Sequence, residues 1–287
     1  MDILTSHKID SRLKWFLNDF VTTYLEKHYL DTVSSVNPIS EVQERALFFY
    51  VKTINTVKSI NTLFNSGDIV SARVLMRGLF ELKILLKKLN ADKEEFIRFS
   101  KAYEKFKVIE ALKFTNENLE GEDTSIYDEL FDKKENQEKI IKLQEEITEL
   151  GFIPSWNPRN GRPAVDKYFE IKEIATSVDE EYLYKSSYKN LCMDTHTSPG
   201  HFYKYFLVET EGKKILNLHP YLHELDLMIV ITVGFLMNFF EIIEELLGVP
   251  TTENLAYGQF QKLFKISYSI LPRLLAQGKV KKMVMDI

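Results

Sequence analysis

The chain has 287 residues, 45% of them hydrophobic, enough for one large domain or a helical core with an appended lobe. Its formal net charge of -5 gives no general affinity for nucleic acid, so any such role needs a concentrated basic patch. The single cysteine, Cys192, excludes an intramolecular disulfide and suits a reducing interior.

The opening MDILTSHKIDSRLKW lacks the continuous apolar run of a signal peptide, which leads to the expectation of a cytoplasmic protein. A first amphipathic helix is expected over residues 9–30, with Leu13, Phe16, Leu17, Phe20 and Tyr24 on one face and a stop at Asn37-Pro38. Ser40 and Gln43 form a capping box that starts a second helix, ending at Ser66-Gly67. The third, from about Asp68 to Leu89, is apolar nearly all round yet carries Arg73, Arg77 and Glu81 at four-residue intervals. Such spacing puts two guanidiniums and a carboxylate on one slowly rotating stripe, either an internal salt-bridge ladder or one wall of a site.

A fourth helix runs from Asp92, with Glu95 in the capping position, to about Leu119, and a charged fifth from about Gln137 to Leu150. Residues 151–165 are dense in turn formers and make a long loop. Ser177 and Glu180 read as another capping box, opening a helix through Cys192. Near residues 202–218 the Glu211-Gly212 pair lies between two β-rich runs, the pattern of a small hairpin. Two last helices follow, Tyr221 to Gly248 and 254–277. The apolar run Leu227 to Phe240 in the first of them is shorter than the ~20 residues a bilayer span needs, so it is read as the central core helix with no membrane partner. The fold expected is all-α, a multi-helix bundle around that helix, with residues 1–287 as a single helical domain whose core covers about 40–250. Its amphipathic faces suit a homodimer, although no single face demands one.

Tyr188, Cys192 and His196 form a second stripe at four-residue intervals. Cysteine and imidazole one turn apart can share a proton, and a His-paired thiolate is a nucleophile; a buried small residue and a helix-end histidine are the plainer alternative. His219 and His223, with Glu224 beside them, have the spacing of metal ligands, but Pro220 places His219 at a helix start and HExxH is absent. No metal or other cofactor is therefore expected. Neither GxGxxG, a Walker lysine motif nor a GxSxG elbow is present.

The pattern SARVLMRGLFELKILLKKL, a loop bearing Trp156 and Arg162, and Tyr188-x-x-Leu191-Cys192-x-x-x-His196 together resemble a widespread bacterial family of helical proteins of unknown function, over roughly Asn61 to His219. The family pattern pairs an Arg-x-x-x-Glu helix with a Tyr-x-x-Leu-Ser-x-x-x-His segment. The resemblance implies an all-helical core, site residues Arg77, Glu81, Tyr188 and His196, and ligand contacts from Arg73, Trp156, Arg162 and Cys192. Cys192 stands where the family has serine, which argues against a hydroxyl-specific role. Members occur by association among bacterial defence genes. The core is also loosely similar to helical nucleotide-binding and ribonuclease domains of toxin and antiphage systems, whose cleaving members carry Arg with His four to six residues on, a spacing absent here.

Facing one another, these stripes suit a metal-free effector that cleaves phosphodiesters or processes nucleotides: the arginines hold the anion, His196 moves protons and Glu81 orients them, with a nucleotide or RNA as substrate. The alternatives are a sensor that binds a nucleotide or small anion without turnover, and a structural protein whose cluster is a buried ion-pair network.

Overall fold

The computed structural model describes residues 9–36, 39–118, 133–153, 165, 170–189, 191–192, 207–210, 213–216 and 224–276. Helix α1 is built from Ser11–Trp15, a π-helical stretch Phe16–Tyr24 and Leu25–Ser35. It is followed by α2 (Glu41–Ser66), α3 (Ile69–Ala91), α4 (Lys93–Asn118), α5 (Lys133–Glu149) and α6 (Ile171–Ser177). Helix α7 (Glu181–Leu183) continues as a π-helical turn, Tyr184–Tyr188. After the strands β1 (Leu207–Thr210) and β2 (Lys213–Leu216) come α8 (Leu225–Leu247), the short α9 (Thr251–Asn254) and α10 (Tyr257–Ala276).

The fold is all-α, a multi-helix bundle, and the expected hairpin is present: β1 and β2 pair antiparallel, Leu207 opposite Leu216 and Thr210 opposite Lys213. The chain divides into two compact units, residues 1–90 with 178–287, and residues 91–177, a division that the single-domain reading does not draw. In the second unit α4 and α5 bury Phe99, Phe106, Ile140 and Ile147 against Phe152 and Val165, and Lys105 pairs with Glu146 at the edge.

The first unit is organised on α8. It is the one helix among the described residues long and apolar enough to cross a membrane, and 72% of its most apolar window is buried inside the protein. Phe235 meets Phe80 of α3, Phe239 meets Tyr50 of α2, and Phe240 meets His28 of α1, with ring centroids 6.2, 5.7 and 5.0 Å apart. A helix apolar on all sides is stable in water only when other elements cover it, and here α10 packs on α8 together with α1, α2 and α3.

Local chemistry sets the helix ends. The Ser40 capping box forms as expected: Ser40 Oγ accepts from the Gln43 backbone N–H, and Gln43 Oε1 accepts from the Ser40 backbone N–H. Gly67 ends α2 and Gly248 ends α8, both left-handed, where a side chain would be strained. The Ser177–Glu180 capping box is not formed. Ser177 is instead the last residue of α6, an element the sequence reading left out, and its hydroxyl donates to the Ile174 carbonyl. Asp179 then takes a left-handed φ of 59°, and this turn separates α6 from α7.

His28, which no motif singled out, ties α1 to α2 and to the end of the α8 region. Its ring nitrogens bond the Tyr50 hydroxyl and the Thr251 carbonyl, and burial holds its pKa below the ordinary imidazole value despite the Thr251 hydrogen bond and the nearby Asp31 and Glu244. The unfolded chain therefore takes up this proton more readily than the folded one. Stability due to His28 is full above pH about 6.5 and is lost as pH falls from there toward the folded pKa, by at most ~1.4 kcal/mol per pH unit. The melting temperature is expected to drop between pH 7 and 5, and His28→Gln, less stable at pH 7, is expected to flatten that decline; an unchanged slope in the variant would contradict the assignment.

Candidate functional site

Helix α3 carries five cations along its length, and four of them, Arg73, Arg77, Lys83 and Lys87, are met in three different environments. Arg73 is 1% exposed and its Nη1 lies 3.1 Å from Glu224 Oε2, itself 7% exposed, at the residue that precedes α8. Taking two charges out of water costs several kcal/mol per ion, which their attraction offsets only in good geometry. This pair locks α3 to the start of the core helix. Arg73 therefore stands apart from the rest of the expected stripe, and Glu224, the candidate metal ligand, is engaged by a guanidinium instead. Among the described residues no group of three or more His, Cys, Asp or Glu could hold a metal ion.

One turn further on, Arg77, Glu81 and Tyr188 meet. Arg77 Nε donates to Glu81 Oε1 at 3.0 Å and to the Tyr188 hydroxyl at 3.2 Å, while that hydroxyl donates to the same Glu81 oxygen at 2.6 Å. The guanidinium also lies over the Tyr188 ring, 5.4 Å from its centroid. The ring is held between Phe80 and Tyr184, at 5.0 and 5.1 Å. Tyr188 is buried, while Arg77 and Glu81 are partly exposed, with 29% and 31% of their side chains open to solvent.

The electrostatics of this triangle define what each member can do. Burial, together with the hydrogen bond to Glu81, pushes the Tyr188 phenol well above its ordinary value, so it stays protonated at neutral pH and serves as a hydrogen-bonding group, not as a base. Burial works against the Arg77 charge, but Tyr188, Cys192 and Glu81 outweigh it and raise its pKa. Cys192, half-buried and four residues beyond Tyr188 in sequence, is thus within electrostatic reach of Arg77. The hydrogen bonds from Arg77 to Glu81 and Tyr188 both use Nε. Among the described residues none uses its two terminal nitrogens.

A third cluster was not legible as a motif. Lys83 and Lys87 converge on Glu180, at 3.0 and 2.5 Å. Lys83 is 6% exposed and Lys87 32%. Burial lowers the Lys83 pKa in spite of Glu180. Burial also works against the charge on Glu180, yet Lys87 and Lys83 outweigh it and hold the carboxyl below its ordinary value. The only sequence signal was two lysines one turn apart in an apolar helix; their partner lies more than ninety residues away. His196, Trp156, Arg162, His219 and His223 lie outside the described residues.

Fold and site thus define an all-helical protein with a pre-positioned arginine at the seam between α3 and the α7 segment. The chain belongs to DUF5677, a family of unknown function whose pattern matches residues 43–214. That stretch holds Arg77, Glu81 and Tyr188, and ends before α8. No curated protein and no solved structure matches the chain.

The buried and half-exposed pairs differ in what their removal does. Arg73→Ala removes the guanidinium from the buried Glu224 and is expected to cost ~3–5 kcal/mol in urea unfolding at pH 7, whereas Arg77→Ala is expected to cost about 1 kcal/mol or less. The double replacement Arg73→Met with Glu224→Leu should recover most of the loss. Equal costs for the two alanine variants would contradict this division of the stripe.

Proposed function

We propose that the protein binds the phosphate of a nucleotide or of an RNA strand at Arg77. The observation that carries this reading is the arrangement of the guanidinium: Nε is fixed by Glu81 and Tyr188, the cation stacks on the tyrosine ring, and the two terminal nitrogens have no bonded partner among the described residues. An arginine held in this way is a fork set for two parallel hydrogen bonds to an anion, and little side-chain freedom remains to be lost on binding.

The more specific proposal is a bacterial, cytoplasmic effector of the defence type, acting on a phosphodiester or nucleotide. Cleavage of a phosphodiester needs a proton taken from the attacking hydroxyl and one given to the departing oxygen, with charge developing on the phosphate oxygens. Arg77 would stabilise that charge. His196, eight residues beyond Tyr188 in sequence and of a type that titrates near neutrality, is the proposed proton carrier. Tyr188 and Glu81 position the arginine. Trp156, Arg162 and Cys192 are proposed as further ligand contacts.

A second reading, a nucleotide or anion sensor without turnover, is favoured by one feature of the triangle: Tyr188 and Glu81 bond each other and Arg77, which leaves the fork as the part free to meet a ligand.

Calorimetric titration with a nucleoside monophosphate is expected to show binding that Arg77→Ala weakens ten- to a hundredfold, the loss of a charged hydrogen-bond pair of ~1.5–3 kcal/mol. Arg77→Lys should recover only part of it, and Tyr188→Phe should weaken binding by loosening the fork. His196→Gln is expected to bind normally and to abolish cleavage of RNA; binding with no turnover in the parent protein would favour the sensor. Affinity unchanged by Arg77→Ala would overturn both readings.

A further inference from the structure

The seam that holds Arg77 continues toward the C-terminal end of α3, where Lys83 and Lys87 share one carboxylate. Glu180 and Tyr188 belong to one helical segment, eight residues apart, and they meet α3 in opposite order: Tyr188 at Arg77 and Glu81, Glu180 at Lys83 and Lys87. The segment therefore runs antiparallel to α3 with a cationic station at each end. Across both stations three cations face two carboxylates, an excess of one positive charge along a seam that is half-buried and so poorly screened. This excess stands against a chain whose net charge is -5.

We infer that the seam takes a single-stranded oligonucleotide with three or more phosphodiesters, one phosphate on the Arg77 fork and another on Lys87 and Lys83, where it displaces Glu180. This rests on the phosphate-binding reading of Arg77 and goes beyond it by setting the size of the ligand. At 1.5 Å of rise per residue, Lys83 lies about 9 Å and Lys87 about 15 Å along the helix from Arg77. Phosphates that share a bridging oxygen, as in a nucleoside diphosphate, are too close together to occupy both stations. Phosphodiesters two apart along a strand, separated by two riboses and the phosphate between them, span that distance. Glu180 is the resident counter-ion of the second station: it keeps Lys83 charged in an apolar setting when no ligand is bound, and it competes with an arriving phosphate. Between the stations in sequence lies Tyr184, half-buried and stacked on the buried Tyr188 ring, an aromatic group of the kind on which a base stacks.

The test is fluorescence anisotropy with a labelled 2′-O-methyl hexanucleotide, which resists cleavage, alongside titrations with uridine monophosphate and inorganic triphosphate. Lys87→Ala is expected to weaken the hexanucleotide about tenfold, to reduce the slope of log K against log salt by about 0.7, the value for one phosphate contact on a single strand, and to leave monophosphate binding unchanged. Glu180→Gln is expected to tighten the hexanucleotide, a gain that a purely structural carboxylate would not produce. Should Glu180→Gln fail to fold, Lys87→Ala, at a partly exposed position, carries the test. Wild-type affinity and salt slope in Lys87→Ala, with monophosphate binding still dependent on Arg77, would overturn this inference and leave the single phosphate site standing. Triphosphate binding as tightly as the hexanucleotide, with the same dependence on Lys87, would overturn it in favour of a nucleoside polyphosphate. Absence of binding by every phosphate ligand would remove both.

Discussion

Charge on a helix that packs into an apolar bundle must be neutralised, and α3 brings Arg73, Arg77, Lys83 and Lys87 into this one. The architecture of the first unit follows from how each is met. Glu224 meets Arg73 out of contact with water and fixes the start of α8. Glu180 meets the lysines and holds the α7 segment in place. Arg77 is met, among the described residues, at Nε only and is partly exposed, and that difference separates a structural pair from a group available to a ligand.

The energetic ordering is consistent with this division. A fully buried ion pair is costly to assemble and more costly to break, so it serves geometry. A half-exposed pair contributes little to stability, because water screens it and competes for it, and it can exchange partners at small cost. Function that depends on binding an anion belongs at the second kind of pair. The aromatic surroundings of Tyr188 add rigidity without adding charge: Phe80 on one side and Tyr184 on the other fix the ring on which the guanidinium rests.

Much of this was legible in the sequence, for identifiable reasons. Periodicity and caps fixed α2 and α8, since Ser40 with Gln43 and the left-handed Gly67 and Gly248 are local signals. The Arg-x-x-x-Glu spacing brought Arg77 and Glu81 together, because helical neighbours four apart meet whatever the tertiary context. Spacing alone leaves Arg73 open between an internal ion pair and a site wall: its neighbour in space, Glu224, is far away in sequence, and periodicity carries no information about such partners. Ser177 and Glu180 have the composition of a capping box, yet the helix before them runs through Ser177 and tertiary lysines claim Glu180, a case of long-range pairing overriding local preference. His28 gave no signal beyond a polar residue on an apolar face.

The central claim is that Arg77 is a fixed fork with its terminal nitrogens turned to a ligand, and the most direct test is a crystal structure of the protein grown with a nucleoside monophosphate. The account predicts the phosphate within about 3 Å of both Arg77 terminal nitrogens, with the Arg77–Glu81–Tyr188 triangle unchanged. A structure in which those nitrogens are bonded to protein groups, and the nucleotide is absent from the seam, would contradict it.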